Sequence, residues 1–129
     1  MRFGELLKRF REEQKLTLRD LGKTSGIDHA YIYRLESGEK EAPSDQVVNA
    51  LTKALQLDRR RARMLRFLVK QSVDDALMSL VLEGPAYDVE DFESAACMSF
   101  RGTRPESKDD WRKVLNRIRQ MREELERDR

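Results

Sequence analysis

Apolar residues recur along much of this chain at intervals of three and four, which is the spacing of one face of an α-helix. Phe3, Leu6, Leu7 and Phe10 show this spacing at the start of the sequence. No alternation of apolar and polar residues, which would predict a β-strand, extends over four positions. The pattern therefore predicts an all-α protein with about eight helices.

Small polar residues stand before the apolar segments and predict where the helices begin. The expected N-caps are Thr17, Asp28, Ser44, Asp58, Asp74, Asp88 and Ser107. Asp20 lies three residues after Thr17, which is a variant of the capping box. The helix that begins after Asp88 is expected to extend to about Phe100, and a final helix is expected over residues 107–126.

The segment from Leu18 to Leu35 meets the physical demands of a helix-turn-helix, in which two short helices cross over a tight turn. The crossing point needs a small residue, which Gly22 provides. The turn needs a residue that tolerates a left-handed backbone, which Gly26 provides. Apolar side chains must also hold both helices to a core, and these are expected to be Leu21, Ile27, Ile32 and Leu35.

The stretch from about Phe3 to Leu57 resembles the five-helix DNA-binding domain of the Xre/Cro family, which includes the small phage repressors. The segments that carry the resemblance read LTLRDLGKTSGI, YIYRLESGEK and PSDQVVNALTKAL. The resemblance implies a repressor-like DNA-binding domain over residues 1–57, with a recognition helix over residues 28–36 in the major groove. Residues 58–129 are then expected to form a helical C-terminal extension for dimerisation or regulation.

The same resemblance implies which side chains contact double-stranded DNA. Its base-reading positions correspond here to His29, Ala30, Tyr33 and Arg34, and Arg34 has the geometry to bond both acceptors of a guanine edge. Its phosphate-contacting positions correspond to Arg11, Arg19, Lys23, Lys40 and Ser44. It also implies an ion pair between Arg11 and Glu36. Many relatives have glutamine where this chain has Leu18, so Arg19 is expected to supply the phosphate contact there.

The charge distribution favours a polyanionic partner for the N-terminal half. Residues 1–66 contain 15 lysines and arginines and 10 acidic residues, whereas residues 67–129 contain 11 and 14. A local excess of positive charge attracts nucleic acid. The stretch 70–106 contains 3 basic and 8 acidic residues, which suits contacts with protein better than contacts with DNA.

The final helix carries an apolar stripe with the 3,4 spacing of a coiled-coil seam. Its members are Trp111, Val114, Ile118, Met121 and Leu125. The stripe has two interpretations: it packs on the apolar helix of residues 76–82 in the same chain, or it pairs with a second copy. Because about two heptads are marginal for a free coiled coil, the expectation is a C-terminal helical unit that also forms a homodimer.

The sequence lacks the motifs of catalysis and metal binding. It has no glycine-rich phosphate loop, no HExxH and no GxSxG, so the chain is not expected to be an enzyme. His29 and Cys97 are its only histidine and cysteine and cannot complete a zinc site, so no metal or cofactor is expected. Cys97 is expected to be a buried thiol. The absence of a signal-like N-terminus and of a long apolar segment predicts a cytoplasmic protein without a membrane partner.

These observations predict sequence-specific binding of double-stranded DNA by a homodimer on a pseudo-palindromic operator. The expected role is regulation of transcription, with repression the expected direction. Two alternatives remain open at this point. One is an antitoxin, in which residues 58–129 bind a toxin while the helix-turn-helix regulates its own synthesis. The other is an adaptor whose C-terminal region binds protein and whose helix-turn-helix does not read DNA.

Overall fold

The structure, a computed structural model, describes residues 1–40, 42–84 and 86–128. Within these ranges it contains eight α-helices and no strand, which confirms the all-α class. In chain order they are α1 (Phe3–Glu13), α2 (Leu18–Ser25), α3 (His29–Ser37), α4 (Asp45–Ala54), α5 (Arg59–Lys70), α6 (Asp75–Leu82), α7 (Val89–Cys97) and α8 (Lys108–Arg127). They form two compact units, Met1–Ser72 and Val73–Arg129.

The first unit consists of α1 to α5. Helix α1 packs against α3 and α5, and α2 packs against α3 and α4. The residues that form its fully buried centre are Leu6, Leu7, Phe10, Leu21, Ile32, Leu35, Leu51, Leu55, Met64 and Leu65. The sequence placed the end of this unit at Leu57, whereas the compact unit continues to Ser72. The difference arises because α5 contributes Met64 and Leu65 to the same core.

Local capping explains most helix beginnings. The side chains of Thr17, Asp28, Ser44, Asp58, Asp74 and Ser107 each accept a backbone N–H from the first turn of the following helix, as predicted. Asp88 precedes α7 but makes no such bond. Its carboxylate instead accepts a hydrogen bond from Arg122 Nη2 at 2.7 Å. Helix α7 also ends at Cys97, short of the expected Phe100, because Met98 adopts an extended backbone with ψ of 140°.

The second unit consists of α6 to α8, with α8 packed against both of the other helices. Trp111 is fully buried near the start of α8. Its indole N–H donates to Asp74 Oδ1 at 3.2 Å, and its ring meets Phe100 edge to face with centroids 5.8 Å apart. The same Asp74 oxygen accepts the N–H of Ala76, so one carboxylate caps α6 and fixes the tryptophan.

The apolar stripe of α8 is divided between the core and the surface. Trp111 and Ile118 are buried, and Leu115 beside them is fully buried. Met121 and Leu125 are 48% and 68% exposed. The first half of the stripe therefore packs within the chain, as one interpretation predicted, while the second half remains largely exposed.

The expectation of a buried Cys97 is wrong, because its side chain is exposed. Helix α7 buries the face that carries Val89, Phe92 and Ala95, which follow one another at intervals of three. Cys97 falls outside that spacing, in the last position of the helix. The apolar neighbours in sequence were therefore a poor guide to its burial.

Candidate nucleic-acid interface

The turn between α2 and α3 is fixed by short-range hydrogen bonds. Thr17 and Asp20 form a reciprocal capping box, with both bonds 3.0 Å long, which defines the start of α2. Gly26 ends α2 in the left-handed region with φ of 75°. The hydroxyl of Ser25 then accepts the N–H of Ile27 at 3.2 Å. The two helices are thus held in a defined relation by residues between them.

Gly22 and Gly26 are required for different physical reasons. A Cβ atom added to Gly22 would lie 3.0 Å from the carbonyl oxygen of Ile27 and 3.3 Å from Cβ of His29, so close approach of α2 to the start of α3 requires a small residue there. A Cβ atom added to Gly26 would meet nothing within 4 Å. The demand at Gly26 is therefore its positive φ alone.

Helix α3 presents one buried face and one open face. Ile32 is fully buried and Leu35 is 1% exposed, so they anchor the helix in the core. The four residues expected to read bases lie on the opposite side and are all exposed: His29, Ala30, Tyr33 and Arg34. The helix is nine residues long and begins directly after its predicted cap, Asp28.

An arginine fork ties the end of α3 to α1. Arg11 Nε and Nη2 donate to the two carboxylate oxygens of Glu36 at 2.8 and 2.9 Å, and Nη1 donates to the carbonyl oxygen of Leu16 at 2.8 Å. The side chains of Arg11 and Glu36 are only 12% and 5% exposed. The hydrogen bonds to Glu36 raise the pKa of Arg11 above its ordinary value. Since most of the guanidinium is engaged, a phosphate contact by Arg11 remains a prediction for its exposed edge.

The other expected phosphate contacts lie around α2 and after α3. Arg19 and Lys23 are exposed, and together with His29 they line a shallow groove at the turn. Lys40 and Ser44 are also exposed and lie in the segment that joins α3 to α4. The hydroxyl of Ser44 accepts the N–H of Val47 at 3.3 Å, so the start of α4 is ordered as well.

Two supporting residues had not been identified from the sequence. A Cβ atom added to Gly4 would lie only 2.1 Å from the carbonyl oxygen of Leu35, so α1 crosses the end of α3 at backbone distance. The side-chain amide of Gln14 donates to the carbonyl oxygen of Leu55 and connects the end of α1 to the end of α4. The glycine inside the apolar pattern of α1 could have indicated the close crossing at Gly4. No pattern in the sequence indicated the hydrogen bond of Gln14.

Among the residues that the structure describes, no group of three His, Cys, Asp or Glu side chains is arranged to hold a metal ion. In the same ranges, no helix is both long and apolar enough to cross a membrane.

The arrangement is that of a helix-turn-helix domain, and comparison with known proteins agrees. The helix-turn-helix domain family matches residues 2–65. The chain is also 40% identical over 55 residues to the HTH-type transcriptional repressor RghR of Bacillus subtilis (strain 168), a match that covers 43% of this chain and 41% of that protein. Residues 2–65 of this chain are thus similar to helix-turn-helix domains, and the match to the Bacillus repressor spans less than half of that protein.

Proposed function

We propose that this chain binds double-stranded DNA through α3 and regulates transcription, with repression as the direction of control. The observation that carries the proposal is the open face of α3. His29, Tyr33 and Arg34 are exposed together on a helix whose other face is buried and whose end is fixed by Arg11. The similarity to the Bacillus subtilis transcriptional repressor supports the same function. A DNA partner also makes the cytoplasm the proposed location.

The residues around α3 form two sets, one that reads bases and one that contacts phosphates. Arg34 offers a guanidinium for guanine, His29 offers a ring nitrogen, and Ala30 suits a thymine methyl group. Arg19, Lys23 and Lys40 offer exposed charge for phosphates, which positions the helix without reading sequence. These two sets predict different consequences of substitution, and the difference provides the test.

A single recognition helix reads too few base pairs for selective binding, so we propose that the protein acts as a homodimer. Two copies related by a two-fold axis would read half-sites roughly 34 Å apart on a pseudo-palindromic operator. The exposed half of the α8 stripe supports this part of the proposal, because it offers apolar surface for a second copy.

The test begins with DNA sites selected from a random duplex pool by the full chain. Arg34→Ala and His29→Ala should each weaken binding to the selected site by about 1–3 kcal/mol and relax selectivity at one position. Lys53→Ala removes an exposed charge from the last turn of α4 and serves as the control. If the two α3 variants bind like the control, the assignment of α3 as the reading helix is wrong.

The phosphate set is tested by salt dependence. Arg19→Ala and Lys23→Ala should weaken binding to all sequences alike, and each should reduce the slope of log K against log salt by about one. Selection of no preferred sequence at all would overturn DNA reading and leave the adaptor as the better description.

A further inference from the structure

Among the described residues, four large apolar side chains are exposed, and three of them lie together. The four are Tyr33, Met98, Met121 and Leu125. Tyr33 belongs to the open face of α3. The other three line a single groove between α7 and the second half of α8, with Ser94 and Ile118 also in its lining. We call this the α7–α8 groove. Apolar side chains grouped in this way mark an interaction surface more often than scattered ones do.

The shape of the groove is fixed by a network beside it. Arg122 donates from Nε and Nη2 to Asp91 at 3.1 and 3.2 Å, and from Nη2 to Asp88 at 2.7 Å. The hydrogen bond to the buried carboxylate of Asp91 raises the pKa of Arg122 above its ordinary value. The charge of Arg122 is therefore matched within the chain. What the groove offers to an occupant is its apolar lining.

We infer that the occupant is the same groove of a second copy, with the ends of the two α8 helices antiparallel about a two-fold axis near Met121. Such an interface places each surface against itself, so it must be self-complementary. Arg117 and Glu124 lie on either side of Met121, each directly before an apolar residue of the stripe. In the antiparallel arrangement Arg117 of one copy faces Glu124 of the other, twice, while Ile118 faces Leu125.

The charges of α8 distinguish this direction from the parallel one. Arg117 and Glu124 are both exposed, and neither side chain has an ion pair or hydrogen bond within the described part of the chain. In a parallel seam the flanking position of Arg117 faces that of Arg122 in the other copy, whose carboxylate partners are already Asp88 and Asp91, so Arg117 gains no ion pair there. The antiparallel direction gives Arg117 and Glu124 two attractive pairs.

The inference specifies the interface of the proposed homodimer and rests on that part of the proposed function. It is tested without DNA, so the interface and the reading of DNA can fail separately. Sedimentation equilibrium of the full chain should show a dimer at micromolar concentration. Met121→Glu should raise the dimer dissociation constant about a hundredfold, because two copies of a buried methionine are lost.

Gln120→Glu is the matched control, because it adds the same charge at the neighbouring exposed position outside the stripe. It should leave the dissociation constant within about threefold of the wild type. Circular dichroism should show unchanged helix content for both variants. A monomeric wild type, or a Met121→Glu variant that dimerises like the control, would overturn the inference and leave a different protein as the occupant.

Exchanging the charges of Arg117 and Glu124 tests whether the two α8 helices are antiparallel. Arg117→Glu alone and Glu124→Arg alone should each weaken the homodimer by about three- to tenfold, because each places like charges face to face. The variant with both changes should recover wild-type affinity, and a mixture of the two single variants should form heterodimers in preference to homodimers. A homodimer tightened by Arg117→Glu would show a parallel seam and overturn the antiparallel assignment.

Discussion

In each of the two compact units, an arginine on one helix forms an ion pair with a buried carboxylate on another helix. In the first unit Arg11 of α1 holds Glu36 of α3, and in the second Arg122 of α8 holds Asp91 of α7. The carboxylates are similarly shielded, at 5% and 4% exposed. The arginines differ, because the side chain of Arg11 is 12% exposed and that of Arg122 is 34% exposed.

The comparison shows that one structural device supports two different surfaces. The pair in the first unit lies at the end of α3 and fixes a helix whose open face carries His29 and Arg34. The pair in the second unit lies beside the α7–α8 groove, where Met121 and Leu125 are exposed. The chemistry of the exposed side chains, not of the supporting pair, therefore separates a surface suited to DNA from one suited to protein.

The largest expected effect is that of removing the more shielded arginine. Arg11→Met leaves Glu36 buried without its partner and should lower the free energy of unfolding by about 3 kcal/mol. Urea denaturation followed by circular dichroism measures this change. Arg9→Met removes an exposed pair with Glu13 on the same helix and should cost no more than about 0.5 kcal/mol. Equal losses in the two variants would mean that the fork to Glu36 is not a structural support.

The second prediction concerns a close contact that only the first unit contains. Gly4→Ala would force α1 away from the backbone of Leu35 and Glu36, and should cost about 2 kcal/mol despite the better helix propensity of alanine. Gly84→Ala in the second unit is the control, since its added Cβ would meet nothing within 4 Å. Thermal melts of both variants give the comparison. A Gly4→Ala protein as stable as the Gly84→Ala protein would contradict the crossing at Gly4.

The third prediction sharpens the difference between the two arginines. Arg122→Met should destabilise the protein less than Arg11→Met, because water reaches Arg122 and screens its pairs with Asp88 and Asp91. The fluorescence of Trp111, which lies in the core of the second unit, follows unfolding where Arg122 acts. If Arg122→Met lowers the free energy of unfolding as much as Arg11→Met does, solvent exposure of the arginine does not determine how strongly these ion pairs stabilise the protein.

The smallest effect is expected from the two capping boxes, one in each unit. The backbone N–H of Thr17 lowers the pKa of Asp20, and that of Glu106 lowers the pKa of Asp110. The unfolded chain has its ordinary carboxyl pKa of about 3.9, so this stabilisation is present above that value and is lost as the pH falls through the lowered folded pKa. Asp20→Asn and Asp110→Asn should reduce the melting temperature by a few degrees at neutral pH. The difference in melting temperature between each variant and the wild type should shrink in acid. A difference that does not depend on pH would contradict a stabilising role of the ionised carboxylates in the capping boxes.

Signals that lie close together in sequence predicted the fold well. Thr17 with Asp20, and Ser107 with Asp110, form capping boxes within single turns, so the helix starts could be identified from spacing alone. The helix-turn-helix likewise depends on a short frame, in which Gly22 and Gly26 each answer a local demand. These predictions needed no knowledge of distant residues.

Features that depend on distant residues could not be predicted in this way. The contact of Gly4 with Leu35 joins residues far apart in the chain, and so does the capture of Asp88 by Arg122. The second of these removed a predicted cap. The stripe of α8 has uniform spacing in sequence, yet Trp111 is fully buried and Leu125 is 68% exposed, because burial depends on how α8 packs against α6 and α7.

The position of Cys97 also gives the molecule a built-in point of attachment. It is the one cysteine in this sequence, it is exposed, and it precedes Met98 of the α7–α8 groove directly. A nitroxide spin label attached to this thiol would mark each copy once, without any added cysteine. Two copies joined through their grooves would then give a single, narrow distribution of label-to-label distances.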